Sequence, residues 1–257
     1  MIGFARPIET DGHTLRDGER RSNVGSRRRP RGRPGQSGRA LLAAYCAAGA
    51  GVALQAGDLT YYDLPYRTYF IAGNNEDLDV IGALRRGDAS LDGPGLNDRS
   101  ERNEAGDQSE RPRLLAGSVA EIGGLRAAGL SGNYASTQYE KSRNELVGDR
   151  RRHFTHDDVD RLLALADADV AVDVFLAHEA PHGLIDDAAY EVGCKHIDAV
   201  LDALSPRLCL IGHHHRHAET TFGATEIVSL APVWESYYRL DPETLALSRF
   251  ETPVGSA

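Results

Sequence analysis

The chain has 257 residues, of which 41% are hydrophobic, and a formal net charge of −9. This length and apolar content favour one domain with a real core and exclude a wholly disordered polypeptide. No apolar run approaches the ~20 residues that span a bilayer, and no apolar signal-peptide segment stands at the start, so we expect a cytoplasmic protein without membrane contact.

Charge is unevenly distributed along the chain. Residues 1–40 carry ten Arg and four carboxylates, a net +6, whereas residues 41–257 carry 19 basic and 34 acidic residues, a net −15. The chain has two Lys against 27 Arg. Acid excess with few lysines predicts a halophilic protein, because a Debye length of about 3 Å at 1 M salt screens the repulsion between surface carboxylates. A GC-rich genome would explain the shortage of Lys but not the acid excess.

Residues 1–40 are interpreted as a disordered head and residues 41–257 as the folded domain. The stretch 16–39 is rich in Arg, Gly, Ser and Pro and offers almost no large apolar side chain to bury. It is either a tail that contacts nucleic acid or a stretch that is not in the native reading frame. A second polar stretch, 88–113, has no periodicity and predicts a surface insertion.

Short apolar runs bounded by Gly and polar residues predict the strands. In chain order these are 52–56, 68–72, 118–122, 125–130, 172–177, 208–211, 219–222, 226–230, 237–240 and 245–250, the last ones in hairpin patterns. Helices are predicted from Thr155 onward and at Lys195–Leu204, with a helix or loop leading from Ala40 into the first of these strands. This order predicts an α/β (α+β) fold, a four-layer α-β-β-α sandwich of two packed mixed sheets flanked by helices.

Cysteine use predicts reduced thiols. Cys46, Cys194 and Cys209 have no CxxC spacing and leave one thiol unmatched. We therefore expect neither a disulfide framework nor a zinc ribbon.

Several short polar motifs follow the predicted strands in a fixed order. They are Gly57-Asp58, Gly73-Asn74-Asn75-Glu76, an apolar run ending in His178, and Gly212-His213-His214-His215. Each motif alone has an ordinary explanation as a turn, a strand-end histidine or a solvated loop. Together they offer carboxylate, amide and imidazole ligands where an open α/β sheet presents side chains to a crevice.

Such a set suits phosphate-ester hydrolysis at a pair of cations ~3.5–4 Å apart, which generate the attacking hydroxide and neutralise phosphoryl oxygens. Asp58, following a strand and a Gly, is a natural bridging ligand between the cations. Asn74 offers an amide oxygen, and His178, His213 and His215 offer imidazoles.

The ordered motifs resemble those of the calcineurin-like metallophosphoesterase family over about residues 51–235. The stretches GLSGNY at 129–134, DVFLAHEAP at 173–181 and GHHH at 212–215 are similar to the catalytic domain of RNA lariat debranching enzymes. The resemblance implies a dinuclear centre of two divalent ions, Mn, Fe or Zn. It implies Asp58 as the bridge, Asn74, His178 and His213 as ligands of the second metal, and His215 as a ligand of the first.

The chain departs from that family at the first strand. Family members carry an Asp-x-His pair at the end of this strand, which supplies the first metal. Here the pair is Asp11-Gly12-His13, but it follows a poor strand and precedes the Arg-rich segment. If Asp11 and His13 are not ligands, the first metal has lost half of its shell.

A second departure lies at Asn75, where the family has a histidine thought to protonate the leaving group. An Asn side chain has no acidic proton to transfer, but its N–H can still donate to a phosphoryl oxygen. We therefore treat Asn75 and Asp58 as the candidate catalytic residues. His182 and His214 are candidate substitutes for the missing acid. The alternative is that they lie behind the metal ligands or at the rim of the site. Glu76 is expected to orient its neighbours as a hydrogen-bond acceptor.

Two functions follow from these residues. One is a metallophosphoesterase that hydrolyses a phosphodiester or phosphomonoester, with RNA, including a 2′-5′ debranching substrate, or a nucleotide among the partners. The other is a weak or inactive scaffold with the same fold. The run Arg150–Arg152 would grip phosphates or make surface ion pairs, and Tyr134 and Tyr139 would stack on a base or pack internally.

Overall fold

The computed structural model describes residues 1–4, 36–64, 66–87, 112–187 and 190–253. Within these ranges no helix is both long and apolar enough to cross a membrane. The helices are α1 (Gln36–Ala48), α2 (Leu78–Arg86), α3 (Ser136–Tyr139), α4 (His156–Asp167) and α5 (Lys195–Leu204). The strands are β1 (Ile2–Phe4), β2 (Val52–Ala56), β3 (Arg67–Ile71), β4 (Arg113–Leu114), β5 (Ser118–Ile122), β6 (Leu125–Leu130), β7 (Val174–Ala177), β8 (Ile185–Asp187), β9 (Tyr190–Val192), β10 (Leu208–Ile211), β11 (Ala218–Phe222), β12 (Thr225–Ser229), β13 (Ser236–Leu240) and β14 (Leu247–Glu251).

Twelve of these strands form two mixed sheets of six. The first sheet has the order β14-β13-β1-β2-β3-β4 and the second has the order β11-β12-β10-β7-β6-β5. In the first sheet β2, β3 and β4 run parallel. In the second, β6, β7, β10 and β12 run parallel. Strands β8 and β9 form a separate small hairpin.

The two sheets pack face to face, and helices cover their outer faces. One apolar cluster lies between the sheets and includes Leu54 and Leu176. Their neighbours along the same strands, Ala53 and Phe175, point the opposite way, as the period of two in a strand requires. They join two further clusters, one packed against α1 and α2 and the other against α4 and α5. The predicted arrangement of two mixed sheets flanked by helices is confirmed.

Local signals in the sequence account for the helix ends. The side chain of Asp77 accepts hydrogen bonds from the N–H groups of Asp79 and Val80 at the start of α2, and Gly87, at φ 71°, ends that helix. Thr155 and Asp158 form a capping box at the start of α4, where the sequence predicted a helix. Helix α2 was not among the predicted elements, although its cap and closing Gly were readable.

The prediction that residues 1–40 are disordered is wrong for both parts of this range that the structure describes. Residues 2–4 form β1 inside the first sheet, and α1 begins at Gln36, before the predicted boundary at 40. Ile2 and Leu41 are fully buried, which gives these short segments their stability. Residues 5–35, with the Arg-rich stretch, and residues 88–111 of the predicted insertion lie outside the described residues, while Arg113 and Leu114 pair with β3.

The chain changes sheet between β12 and β13. The sequence predicted hairpin patterns here, and β11–β12 and β13–β14 are antiparallel hairpins. Strand β12 lies in the second sheet and β13 in the first, so these two do not pair with each other. Residues 230–234 of this connection, here called the crossing segment, border the same cavity as the loops that follow β2 and β10.

Candidate metal centre

Four of the predicted ligands follow parallel strands and meet at one edge of the sandwich. Asp58 follows β2, and Asn74 follows β3, its parallel neighbour in the first sheet. His178 follows β7, and His213 follows β10, its parallel neighbour in the second sheet. Each sheet thus contributes two side chains to a single edge, as expected for a crevice at the carboxyl ends of strands.

The side chain of Asn74 lies between two histidines. Its Oδ1 is 3.0 Å from Nε2 of His178 and 3.0 Å from Nδ1 of His213. Oδ1 of Asp58 is 3.7 Å from the same Nε2 of His178. Four atoms that can bind a metal, contributed by distant parts of the chain, therefore lie close together.

The hydrogen bond from Nδ1 of His178 determines that its other ring nitrogen, Nε2, is an acceptor. Nδ1 donates to the carbonyl oxygen of Ala56 at 2.9 Å, and burial lowers the pKa of this ring, which favours the neutral form. Nε2 then carries a lone pair directed at Oδ1 of Asn74, which is also an acceptor. Two facing acceptors leave a position that a cation satisfies.

The two 3.0 Å spacings around Oδ1 of Asn74 agree with a metal. Bonds of about 2.1 Å to a six-coordinate cation place adjacent ligand atoms about 3.0 Å apart. Carboxylate, amide oxygen and imidazole ligands suit Mn, Fe or Zn. Among the residues that the structure describes, no three His, Cys, Asp or Glu side chains group as a metal site. The candidate centre thus depends on the amide oxygen of Asn74.

Glycines in three of the motifs leave room for the ring of His178 and the carboxylate of Asp58. A Cβ at Gly57, where φ is +95°, would lie 2.2 Å from Nδ1 of His178. A Cβ at Gly73 would lie 2.2 Å from Oδ1 of Asp58, and one at Gly212 would lie 2.0 Å from the carbonyl oxygen of Ala56. No side chain fits at these positions without moving the ligands.

Asn75 holds the carboxylate of Asp58. Its backbone N–H donates to Oδ1 at 2.8 Å and its side-chain amide donates to Oδ2 at 2.9 Å. Asn75 also lines the cavity beside the centre. The amide that sequence analysis assigned to substrate is therefore engaged with Asp58 in this structure.

Glu76 orients the two loops that carry Asp58 and Asn74. Its Oε1 accepts from the N–H of Leu59 at 2.9 Å and of Gly73 at 3.3 Å, and its Oε2 accepts from the N–H of Thr60 and the hydroxyl of Tyr62. Burial raises the pKa of this carboxyl. Its expected role as an acceptor that orients neighbours agrees with these bonds.

His215 lies on the same cavity as Asp58 but not in the Asn74 group. Its ring packs edge to face against Trp234, with centroids 5.3 Å apart. The cavity has a volume of about 270 Å³. Its lining comprises Met1, Ser37, Gln55, Ala56, Gly57, Asp58, Thr60, Asn75, His178, Gly212, His213, His215, Leu230, Ala231, Pro232, Val233 and Trp234.

The first strand does not run as the family resemblance implied. Strand β1 is antiparallel to β2, so its amino end, at Met1, borders the cavity and its carboxyl end points to the opposite edge. An Asp-x-His pair directly after β1 would therefore start from the wrong edge. Asp11 and His13 themselves lie outside the described residues.

The candidate substitutes for the general acid do not line the cavity. His182 is paired with Asp198, with Nδ1 2.5 Å from Oδ2. Burial lowers the pKa of His214 to about 4, which favours the neutral ring over the imidazolium form near neutral pH. Its Nε2 is buried without a hydrogen-bond partner.

Four of the other residues considered for substrate binding, Arg151, Arg152, Tyr134 and Tyr139, have structural partners. Arg151 pairs with Asp79 at 2.8 Å, and Arg152 pairs with Asp149 at 3.4 Å. These contacts agree with the surface ion-pair alternative. Tyr134 and Tyr139 pack against each other and against Phe154 and His196, which agrees with internal packing.

The fold has solved counterparts. No protein-family profile and no curated protein matches the sequence. The protein TT1561 of Thermus thermophilus is 18% identical, with a TM-score of 0.54, over 83% of this chain and 90% of that one. Another crystal structure is 16% identical, with a TM-score of 0.51. The match covers 73% of this chain and 66% of the length of that protein. At these identities the likeness is one of fold alone.

The apolar wall of the cavity was not predicted from the sequence. It is formed by the crossing segment, residues 230–234, whose position depends on the change of sheet after β12. The available signal was the single Trp of the chain, Trp234, which stands two residues after Pro232.

Proposed function

We propose that this chain is a metal-dependent phosphoesterase of the calcineurin-like type, which hydrolyses a phosphodiester or a phosphomonoester. The observation that carries the proposal is the position of Asn74 Oδ1, 3.0 Å from the ring nitrogens of both His178 and His213. The motif order along the sequence and the two-sheet fold support the same assignment. Cytoplasmic location and adaptation to salt stay predictions.

Two divalent cations, when bound, would supply Lewis acidity at the phosphoryl oxygens and lower the pKa of the attacking water. Asn74, His178 and His213 would hold one cation, with Asp58 shared between the two and His215 on the other. Asn75 would keep the carboxylate of Asp58 fixed through its two hydrogen bonds. The buried residues Leu230 and Ala231 beside the centre would exclude bulk water from the ester.

The test is hydrolysis of bis-(p-nitrophenyl) phosphate by purified protein in concentrated salt, with Mn²⁺, Zn²⁺ or Fe²⁺ added. We expect Asp58→Ala to lower kcat/KM more than ~100-fold, since even outer contacts to metal ligands are worth 10–100-fold. Asp63→Ala is the matched control, because Asp63 is an exposed carboxylate in the same loop. Equal rates for Asp58→Ala and the wild type would end the enzyme assignment.

A scaffold without activity is the second candidate, and the direction of β1 favours it. Strand β1 runs antiparallel to β2, so its carboxyl end supplies no ligand to this edge. Among the described residues, Asp58 and His215 are then the predicted ligands of the first cation. Metal content by mass spectrometry separates the candidates. Two equivalents per chain support the dinuclear enzyme, and no metal together with no hydrolysis supports the scaffold.

A further inference from the structure

The cavity beside the candidate centre is lined by two chemically different sets of residues. Asp58, Asn75 and the histidines are polar, whereas the crossing segment, residues 230–234, is apolar. Leu230 and Ala231 are buried, whereas Trp234 is 38% exposed. A free phosphate needs only the polar set, so an exposed indole in the apolar set points to a substrate with a flat apolar part.

Trp234 is partly free to stack. Its contact with His215 is edge to face, with an interplanar angle of 84°, and such a contact covers at most one face of the indole. His215 is itself a predicted ligand of the first cation, so a cation bound there would be separated from the indole by one imidazole ring. A group stacked on Trp234 would thus be adjacent to a phosphate held at the centre.

The segment that carries Trp234 is held in place before any ligand binds. The N–H of Ala231 donates to the hydroxyl of Tyr238 at 3.0 Å, and the hydroxyl of Thr252 donates to the carbonyl of Val233 at 2.6 Å. The N–H groups of Glu235 and Ser236 both donate to the carbonyl of Pro232. A fixed aromatic ring loses little conformational freedom on binding, which favours affinity.

We propose that Trp234 is a stacking platform for a nucleobase, and that the substrate is a phosphodiester of a single nucleoside or of a nucleic-acid end. The inference rests on the proposed function and deepens it. Base stacking on aromatic residues tolerates any base, because each has a π-face. A cavity of about 270 Å³ lies just below the usual ~300–1,000 Å³ of small-molecule sites, which suits one nucleoside and excludes a duplex.

The first experiment uses the fluorescence of Trp234, which is the single Trp of the chain. We titrate the wild-type protein with adenosine monophosphate, first in the presence of a chelator and then in the presence of Zn²⁺. The excitation wavelength is one that adenine does not absorb. We expect saturable quenching that ribose 5-phosphate does not produce. The same change with both compounds, or with neither, would overturn the platform, whether or not the protein hydrolyses esters.

The second experiment compares two esters with the same leaving group, the p-nitrophenyl esters of thymidine 5′-monophosphate and of methyl phosphate. We expect Trp234→Leu to raise KM for the thymidine ester about tenfold, as for one lost stacked base, with kcat within about twofold. KM for the methyl ester, which has no base to stack, should rise much less, and Trp234→Phe should retain most of the affinity for the thymidine ester. The control is Phe250→Leu, because Phe250 is similarly exposed but stacks on Tyr237 away from the cavity.

The outcomes separate the two proposals. Equal losses for both esters would make Trp234 a structural wall and overturn the platform. If the wild type hydrolyses neither ester with any metal, the proposed function fails, and the quenching experiment alone decides whether a base binds at Trp234.

Discussion

Asn75 donates two hydrogen bonds to Asp58, one from its backbone at 2.8 Å and one from its side chain at 2.9 Å. Sequence comparison with the family suggested that this position acts on the substrate. The bonds indicate a different task, because they orient the carboxylate that would bridge the cations. Groups that orient metal ligands are worth about 10–100-fold in metal affinity or activity.

Restoring the family histidine at this position should change the preference for leaving groups. We expect Asn75→His to accelerate hydrolysis of alkyl phosphodiesters, which need a proton on the departing oxygen, by up to ~10²-fold. It should not accelerate p-nitrophenyl esters, since p-nitrophenolate departs without a proton, and the lost side-chain bond to Asp58 should slow their hydrolysis. Rates for both ester types across pH check this, with Asn75→Ala as the variant that lacks both functions. Equal acceleration of both esters would contradict it.

A side chain at Gly57 should disable the centre. The added Cβ of Gly57→Ala would lie 2.2 Å from Nδ1 of His178, so the ring must shift. We expect metal affinity to fall more than ~10-fold, measured by competition with a chromophoric chelator. Gly223→Ala is the matched control, because Gly223 also has positive φ but has nothing within 4 Å of its added Cβ. That variant should lose only about 1 kcal/mol of stability and no metal affinity.

Asp158 should control acid stability. Its carboxylate, 1% exposed, pairs with Arg85, Arg143 and Arg161. Burial acts to raise its pKa, but Arg85 and Arg143 outweigh it and hold the pKa below the ordinary value. We expect Asp158→Asn to lower the free energy of unfolding by about 3 kcal/mol at neutral pH, because it leaves guanidinium groups without their partner.

The pH dependence of this effect has a definite sign. A carboxyl whose pKa is lowered by folding stabilises the protein above its unfolded pKa of about 3.9 and loses that contribution as pH falls through the folded pKa. The difference between wild type and Asp158→Asn in urea unfolding should therefore shrink below about pH 4. Asp149→Asn is the control, since Asp149 is 90% exposed in its pair with Arg152, and a change within about 0.5 kcal/mol is expected. A difference independent of pH would count against the ionised carboxylate.

Thiol chemistry should separate the three cysteines. Cys46 is exposed, whereas Cys194 and Cys209 are buried, and burial raises the pKa of both buried thiols. We expect one thiol per chain to react with Ellman's reagent under native conditions and three after denaturation. Cys46→Ser should abolish the native reaction. Rapid reaction of two or more thiols in the native wild type would contradict the burial.

The sequence predicted those strands well that are buried on both faces. The bounds of β2 and β10 agree with prediction, because a short and mostly apolar run closed by Gly leaves little choice of structure. The direction of β1 was not predictable, since three residues carry no signal for their pairing partner. Likewise, nothing local to β12 and β13 says that they belong to different sheets.

The sequence predicted which side chains follow the strand ends at the candidate site, but not the contacts that the loops make there. Asp58, Asn74, His178 and His213 meet as predicted, because parallel neighbours deliver their carboxyl ends to one edge. Their roles as ligands stay proposals. The bonds from Asn75 to Asp58 depend on backbone turns that single-sequence patterns do not specify. The wall at Trp234 depends on long-range packing.

The pairing of ligands across the two sheets has a consequence for folding. Asp58 and Asn74 belong to the first sheet and His178 and His213 to the second, so a cation held by all four would act as a cross-link between halves of the sandwich. Neither half alone would offer a complete coordination shell. Metal would then raise the unfolding temperature in proportion to the logarithm of its concentration, and a chelator would loosen the whole sandwich rather than one loop.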